Sequence, residues 1–498
     1  MNSNYLLKYG VAILGGIFFA RYTKARLVTE NQKWNIKDHL SYWKESWYLI
    51  FVFCTGLCEI MLGLIFRSPK HTFQMIISLG FSAFFLLSCY YFLLMFFLPI
   101  IRKEVHSRTC AMLWILPLYL YILFFDLQSS EAPSLIIPLS EFLIWLLFGI
   151  WSIGFITVFA WKILNHLKYR SYILQNVTPV TDAKILEPWR REIYEMDLKK
   201  PFFNLVVSPN VSTPMTIGLF RRSMIVVLPD KFYSEEELEL IYKHELTHIA
   251  RNDHWIKFFL TFSTAVCWFN PLMWTAMKKC TEDLELSCDE TVLIHSDDAQ
   301  KRQYAELILK TAGDERGFTT CLSVKAKSLH YRLTNILSNN RKYSGAVLAG
   351  IIFAVLIISD KHFAFAYGYT TGKEIFFENQ TPDNINLYPV QILDSNSSYH
   401  CNDTEALLSY LTELPICEIT SDYTFVEDSL SLNTYQLGIS YDAHGQHYYL
   451  KLSRNVLYMH SYNLDNWNTY LYGNTYEPEY YYLPSGVDFE YIYNLLDM

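Results

Sequence analysis

The 498-residue sequence lacks any excess of positive charge: 41 lysines and arginines face 49 aspartates and glutamates, a net charge of −8 that gives no electrostatic footprint for binding nucleic acid directly. Internal repeats and low-complexity tracts are also missing. A convincing cleavable signal peptide is lacking too, because the charges of "RYTKAR" follow the first apolar run and no Ala-x-Ala-like site is apparent. Apolar residues, by contrast, are abundant. With 51% hydrophobic and 17% aromatic content and a positive mean hydropathy, the chain is too apolar for an ordinary water-soluble enzyme and reads as a membrane protein.

An apolar run of about 18 residues covers the ~30 Å hydrocarbon core of a bilayer. Five candidate runs crowd the first third, near residues 4–20, 46–66, 74–101, 110–126 and 142–161, and a sixth, "SGAVLAGIIFAVLIIS", begins at Ser344. Basic residues orient them, since basic loops stay in the cytoplasm. Arg21, Lys24, Arg26, Lys33, Lys37 and Lys44 fill the 21–45 loop and Arg102, Lys103 and Arg108 the 102–109 loop, whereas "DLQSSEAPS" carries none. The N-terminus is therefore expected outside. Residues 162–343 fall in the cytoplasm, with Arg341 and Lys342 at the inner end of the last helix. The tail falls outside again; it is acidic and Tyr-rich, and "HYYLKLS" and "NVLYMHSYN" alternate as half-buried strands do. Of the ten cysteines only Cys401 and Cys417 lie there, and a disulfide and two unpaired thiols are equally open. The expected organisation is a transmembrane bundle of about five helices over 1–161, a cytoplasmic domain over 162–343, a spanning helix over 344–360 and a β-rich extracellular domain over 361–498.

Within the cytoplasmic segment the pattern is that of a compact α/β unit. "DAKILEPWRREIYEMD" reads as an amphipathic helix, "FNLVVS" and "SMIVVLP" as buried strands, and Pro214 to Phe220, including Gly218, as an extended edge. Ser234 and Glu237 form a capping box that starts the next helix. That helix carries "HELTH", in which His244 and His248 are four residues apart, share one face and can hold one Zn²⁺. Glu245 is placed to take a proton from the water that such an ion activates. A catalytic zinc needs a third protein ligand. His254 suits the HExxHxxGxxH spacing, but Arg251 stands where that pattern has the glycine that lets the chain turn, and without a turn His254 lies about 240° around the helix from His248. The stronger candidate is Glu285 in "KKCTEDLELSCDETVL", because Asp289 follows it four residues later and can accept the distal N–H of a ligating histidine. Glu282 and Asp283 lack such a partner. The apolar stretch 255–277 cannot then cross the bilayer, since a crossing would part His244 from Glu285 by some 30 Å. Asn270-Pro271 offers a break, so a membrane-associated hairpin is expected.

These residues resemble the BlaR/MecR-type membrane metallopeptidases, zinc-dependent sensor-transducers of bacterial antibiotic resistance. The resemblance covers roughly residues 140–345 and rests on "PMTIGLF", "IVVLP", "HELTHIARNDH", "CWFNPLMW", "ELSCDETVL" and "SLHYRLTNIL". It implies His244, His248 and Glu285 as zinc ligands, Glu245 as catalytic base, a location in the bacterial plasma membrane, and cleavage of a cytoplasmic partner such as a transcriptional repressor, in some members with self-cleavage. The tail departs from the antibiotic sensors: residues 365–498 contain no S-x-x-K and are too short for a penicillin-binding domain, which puts β-lactam sensing in doubt and leaves the extracellular ligand open. The fold class expected is a polytopic α-helical membrane protein with a cytoplasmic α/β, mainly α, HExxH zinc-metalloprotease domain and a small β-rich extracellular C-terminal domain. The expected partners are the lipid bilayer, a cytoplasmic protein substrate and an external ligand, and a homodimer is compatible with this layout. The alternatives are a quality-control protease resembling the HtpX-like peptidases and a non-enzymatic receptor with a vestigial metal site. The oxyanion donor stays open among Tyr304, His254 and several arginines.

Overall fold

The computed structural model describes residues 3–31, 61, 69–122, 135–196, 198, 203–312, 326–338, 342–358, 363–377, 385–393, 397–419, 437–443, 446–463 and 479–497. The first elements are helices α1 (Ser3–Asn31), α2 (Pro69–Ile101) and α3 (Ser107–Ile122), the short strand β1 (Leu135–Pro138) and helix α4 (Glu141–Ile173). Among the described residues two helical stretches, Gly80–Ile101 and Glu141–Ile173, are long and apolar enough to cross a bilayer. The first apolar run is part of α1, which continues through the charges that follow it, and the 46–66 run, apart from Met61, lies outside the described residues.

Beyond α4 come β2 (Thr178–Pro179), helix α5 (Ala183–Glu195), strands β3 (Asn204–Ser208), β4 (Met215–Ile217) and β5 (Ile225–Pro229), and helix α6 (Glu235–Arg251). The strands form one sheet in the order β2-β3-β5-β4, with β3 and β5 parallel and β4 antiparallel on the edge. The central strands are apolar because both their faces are covered, and Val226, Val227 and Leu228 are essentially fully buried. The capping box at Ser234 and Glu237 is present, its hydroxyl accepting from the Glu237 N–H and its own N–H donating to the Glu237 carboxylate. Leu246 and Ile249 of α6 are fully buried, each contributing roughly 1.5–3 kcal/mol. Tyr242 packs edge-on against Trp189 of α5 and donates its hydroxyl to the Ile185 carbonyl at 3.1 Å.

Helices α7 (Asp253–Val266) and α8 (Pro271–Val292) form a helical hairpin broken ahead of Pro271. Asn270 caps α8 by accepting from the Leu272 N–H, and Pro271 occupies the first helical position, where no N–H is needed. The second half of α8 thereby returns to α6, and α9 (Asp298–Ala312) and α10 (Ala326–Leu337) pack around the pair. Helix α11 (Ala346–Ile358), short and apolar, lies against α1, with a Cβ added at Gly350 only 2.5 Å from the Gly16 carbonyl oxygen, so the two backbones need small residues to meet.

The tail supplies strands β6 (Phe363–Thr371), β7 (Asn386–Leu387), β8 (Val390–Ile392), β9 (Ser397–Tyr399), β10 (Pro415–Ile419), β11 (Leu437–Ala443), β12 (Gln446–Leu452), β13 (Val456–Asn463) and β14 (Glu479–Tyr482). They join in the order β1-β6-β10-β14-β13-β12-β11-β8-β9, with β7 also on β11. The alternation read in "HYYLKLS" appears as buried Tyr448, Leu450 and Leu452. Pairing of β1 with β6 is parallel and joins the tail to the segment ahead of α4, so this sheet is not confined to residues 361–498. Cys401 and Cys417 are free thiols, the latter fully buried in the sheet's core.

Candidate metal centre

One turn of α6 brings His244 and His248 together, with their Nε2 atoms 3.2 Å apart. Across from them α8 places Glu285 Oε2 at 3.6 Å from His244 Nε2 and 3.5 Å from His248 Nε2. Donors bonded to one tetrahedral zinc at ~2.1 Å lie about 3.4 Å from each other, so these three atoms already have the spacing that a shared ion needs. Two imidazoles and a carboxylate are also a borderline-hard donor set that suits zinc. The residues therefore fit a divalent metal.

The distal nitrogens are tied down. His248 Nδ1 lies 2.7 Å from Asp253 Oδ2, and Asp253 is itself 3.6 Å from the buried Arg108. His244 Nδ1 lies 2.8 Å from the Tyr304 hydroxyl, which donates to Asp289 Oδ1 at 2.8 Å, and Arg332 donates to both Asp289 oxygens at 2.8 Å. Such outer partners fix the ring orientation and leave Nε2 for the metal. Glu285 has its own partner, Lys257 Nζ, 2.9 Å from Oε1. Glu245, buried, accepts from the Thr216 hydroxyl of β4 at 2.7 Å, so the carboxylate next to the donor triangle is held against the edge strand.

Asp289 is thus on the His244 side, but acts largely through Tyr304, its direct distance to His244 Nδ1 being 3.5 Å. Tyr304 spends its hydroxyl on this relay, which removes it from the oxyanion candidates. Asp283 pairs with Arg102 and Trp114, and Glu282 with Lys279, so neither is turned to the imidazoles. Pro214 and Gly218 flank β4, and Gly218, at φ +129°, passes so close to Ser223 and Met224 that a Cβ would lie 2.5 Å from a carbonyl oxygen. The chain does turn just past Arg251. Asn252 takes up the left-handed conformation (φ 55°, ψ 38°) that asparagine tolerates, and the chain turns one residue later than a glycine at position 251 would have turned it. That turn carries Asp253, rather than His254, onto His248. Arg251 is fully buried and donates to Ser287 and Thr291 of α8.

Sequence reading missed Asp253, Arg332, Lys257, Thr216 and Cys288. Asn252 was a readable turn signal, and Cys288 sits inside the quoted "ELSCD", but no spacing rule singles out Lys257 or Arg332, which reach the site from other helices. Cys288 Sγ and ring nitrogens of His244 and His248 all lie within 4.8 Å of one another.

Electrostatics match the donor set. Burial alone would push the Glu285 carboxyl up, but Lys257 and the two imidazoles outweigh it and hold the group well below the usual carboxylate range. Burial would likewise depress both imidazoles, yet Cys288 and Glu285 lift His248 well above its ordinary value and His244 to about 10. A metal loading this site must therefore displace protons.

Residues 129–336 match the BlaR1 peptidase M56 family. Over 208 residues, 42% of this chain and 33% of the relative, the sequence is 28% identical to the regulatory protein BlaR1 of Bacillus licheniformis. It is 24% identical over 190 residues to the methicillin resistance mecR1 proteins of Staphylococcus aureus and Staphylococcus epidermidis, covering 37% of this chain and 32% of each relative. The aligned part thus spans about a third of the length of these relatives. The matched segment runs from the strand ahead of α4 to the end of α10 and contains the whole donor triangle with its outer partners. Over residues 129–336 the chain thus matches the peptidase M56 domain and is similar to BlaR/MecR-type proteins.

Proposed function

We propose that this protein is a multi-pass membrane zinc endopeptidase that converts an extracellular event into cytoplasmic cleavage of a protein partner such as a transcriptional repressor. The observation that carries the reading is the convergence of His244, His248 and Glu285 beside a buried Glu245, next to an edge strand. Zinc, when bound, supplies Lewis acidity that polarises a peptide carbonyl and makes hydroxide available near neutral pH. Glu245 takes the proton from the attacking water and passes it to the leaving amine. A substrate segment adds to the free edge of β4 between Pro214 and Gly218, its main chain hydrogen-bonded as another strand. Thr216 holds the Glu245 carboxylate in place while this happens. Lys257 keeps the second Glu285 oxygen neutralised, so that Oε2 remains a single-point donor.

The membrane layout supports sensing. Pairing of β1 with β6 supports a common side for the strand ahead of α4 and the tail, in line with the distribution of basic residues. Residues 365–498 contain no acylatable S-x-x-K serine. A non-catalytic receptor would have no use for Glu245 beside the donor triangle. Wild type and Glu245→Gln, expressed in membranes, are expected to bind metal equally, while cleavage of a candidate partner and of the chain itself falls by 100-fold or more, about the contribution of a positioned acid–base group. Equal proteolysis by the two proteins refutes the enzymatic role.

A further inference from the structure

Helix α8 offers the imidazoles one donor that the peptidase reading leaves unused. Cys288 lies three residues beyond Glu285, on the same face of the helix, and is fully buried. Its Sγ stands within 4.8 Å of the ring nitrogens of His244 and His248, and the thiol donates to the His244 backbone carbonyl at 3.4 Å. Bonds of ~2.1 Å to nitrogen and ~2.3 Å to sulfur put tetrahedral donors about 3.5 Å apart, so an approach on the order of one ångström would bring this sulfur onto the ion held by the two imidazoles. Three protein ligands leave a zinc site open to water, and four close it. His244, His248, Glu285 and Cys288 amount to four donors on two facing helices, with a second resting place for the thiol on the His244 carbonyl.

We propose that Cys288 is a switchable fourth ligand of this metal centre. Its thiolate closes the coordination shell in the resting protein; on activation it leaves, and the thiol returns to the His244 carbonyl. Closing releases the thiol proton and one water, and opening takes up both, so no oxidant or reductant is involved. The inference rests on the metallopeptidase reading above and deepens it.

The test uses the full-length protein in detergent, loaded with Co²⁺ alone. Wild type is expected to show a sulfur-to-cobalt charge-transfer absorption in the near ultraviolet, and Cys288→Ser to lose it while keeping the metal and its visible ligand-field bands. Zinc-edge X-ray absorption on wild type needs no variant and should find one sulfur at ~2.3 Å. If the closed form holds about nine-tenths of the population, Cys288→Ala raises basal cleavage about tenfold. Bound cobalt with no sulfur signature in wild type overturns the thiolate ligand and leaves the metallopeptidase reading standing. A sulfur signature with unchanged basal cleavage in Cys288→Ala overturns the switch, and failure of wild type to retain any metal overturns both readings.

Discussion

Asp253 and Tyr304 hold the two distal imidazole nitrogens, so the candidate metal centre depends on residues outside the donor triangle. Asp253→Asn and Tyr304→Phe should each weaken metal binding by about 10–100-fold, measured by competition with a chromophoric chelator, whereas Glu282→Gln should not change it. If Asp253→Asn binds metal as tightly as wild type, the outer partner assigned here to His248 is wrong. The two histidines, Glu245 and Glu285 were legible because i,i+4 spacing on a helix is a one-dimensional signal. Asp253 was hidden by a turn, and Lys257 and Arg332 by the fact that their helices approach only in three dimensions.

Helix α6 shows how one backbone residue sets the site. Asn252 in the left-handed region ends the helix and aims Asp253 back at His248. Asn252→Val, β-branched and strained there, should cost on the order of 1–3 kcal/mol of stability and loosen the metal, while Asn252→Gly should keep both, as thermal unfolding and chelator competition would show. Neighbouring α5 carries a different strain. Burial pushes the Glu192 carboxyl up to about 7 against the opposing pull of Lys243, 3.6 Å away. Its folded value lies above the unfolded one of about 4.3. The proton-linked stability is therefore full below that value and lost as the pH rises through about 7. Glu192→Gln, always neutral, should unfold at a higher temperature than wild type at pH 8, with the advantage shrinking toward pH 5. A constant difference across that range would show that ionisation of Glu192 is not the cause.

Across the whole molecule α4 is the connecting rod, 33 residues and about 50 Å long. Its N-terminal end packs Ile144 with Phe365 and Tyr367 of β6. Its middle donates from the Trp151 indole to the Val266 carbonyl on the hairpin at 2.8 Å, and its C-terminal end accepts from Ser208 of β3 and Asn210 in the turn that follows. A second tie runs through the turn between α2 and α3, where Arg102 meets Asp283, Ser107 meets Glu290 and Arg108 approaches Asp253. Residues that the sequence offered as cytoplasmic charge thus also brace the site helices. Leu139→Pro removes the N–H that donates to the Ala366 carbonyl at 2.8 Å. It should make the 361–498 tail more susceptible to added protease while leaving metal content unchanged. Unchanged susceptibility would mean that β1 does not anchor the tail.

The sequence alone determined the apolar helices, the HELTH helix with its capping box, the need for a distant carboxylate and the hairpin that returns it, because each follows from hydropathy or helical periodicity along a continuous segment. Only the tertiary structure decided that β1 joins the sheet of the tail, that Tyr304 stands between Asp289 and His244, and that Asp253 serves His248. Those pairings join residues whose separation in sequence follows no period, and packing of whole elements fixes them. "HELTH" therefore announces two imidazoles and a carboxylate on one helix, while the partners that orient them come from the helices and turns folded around it.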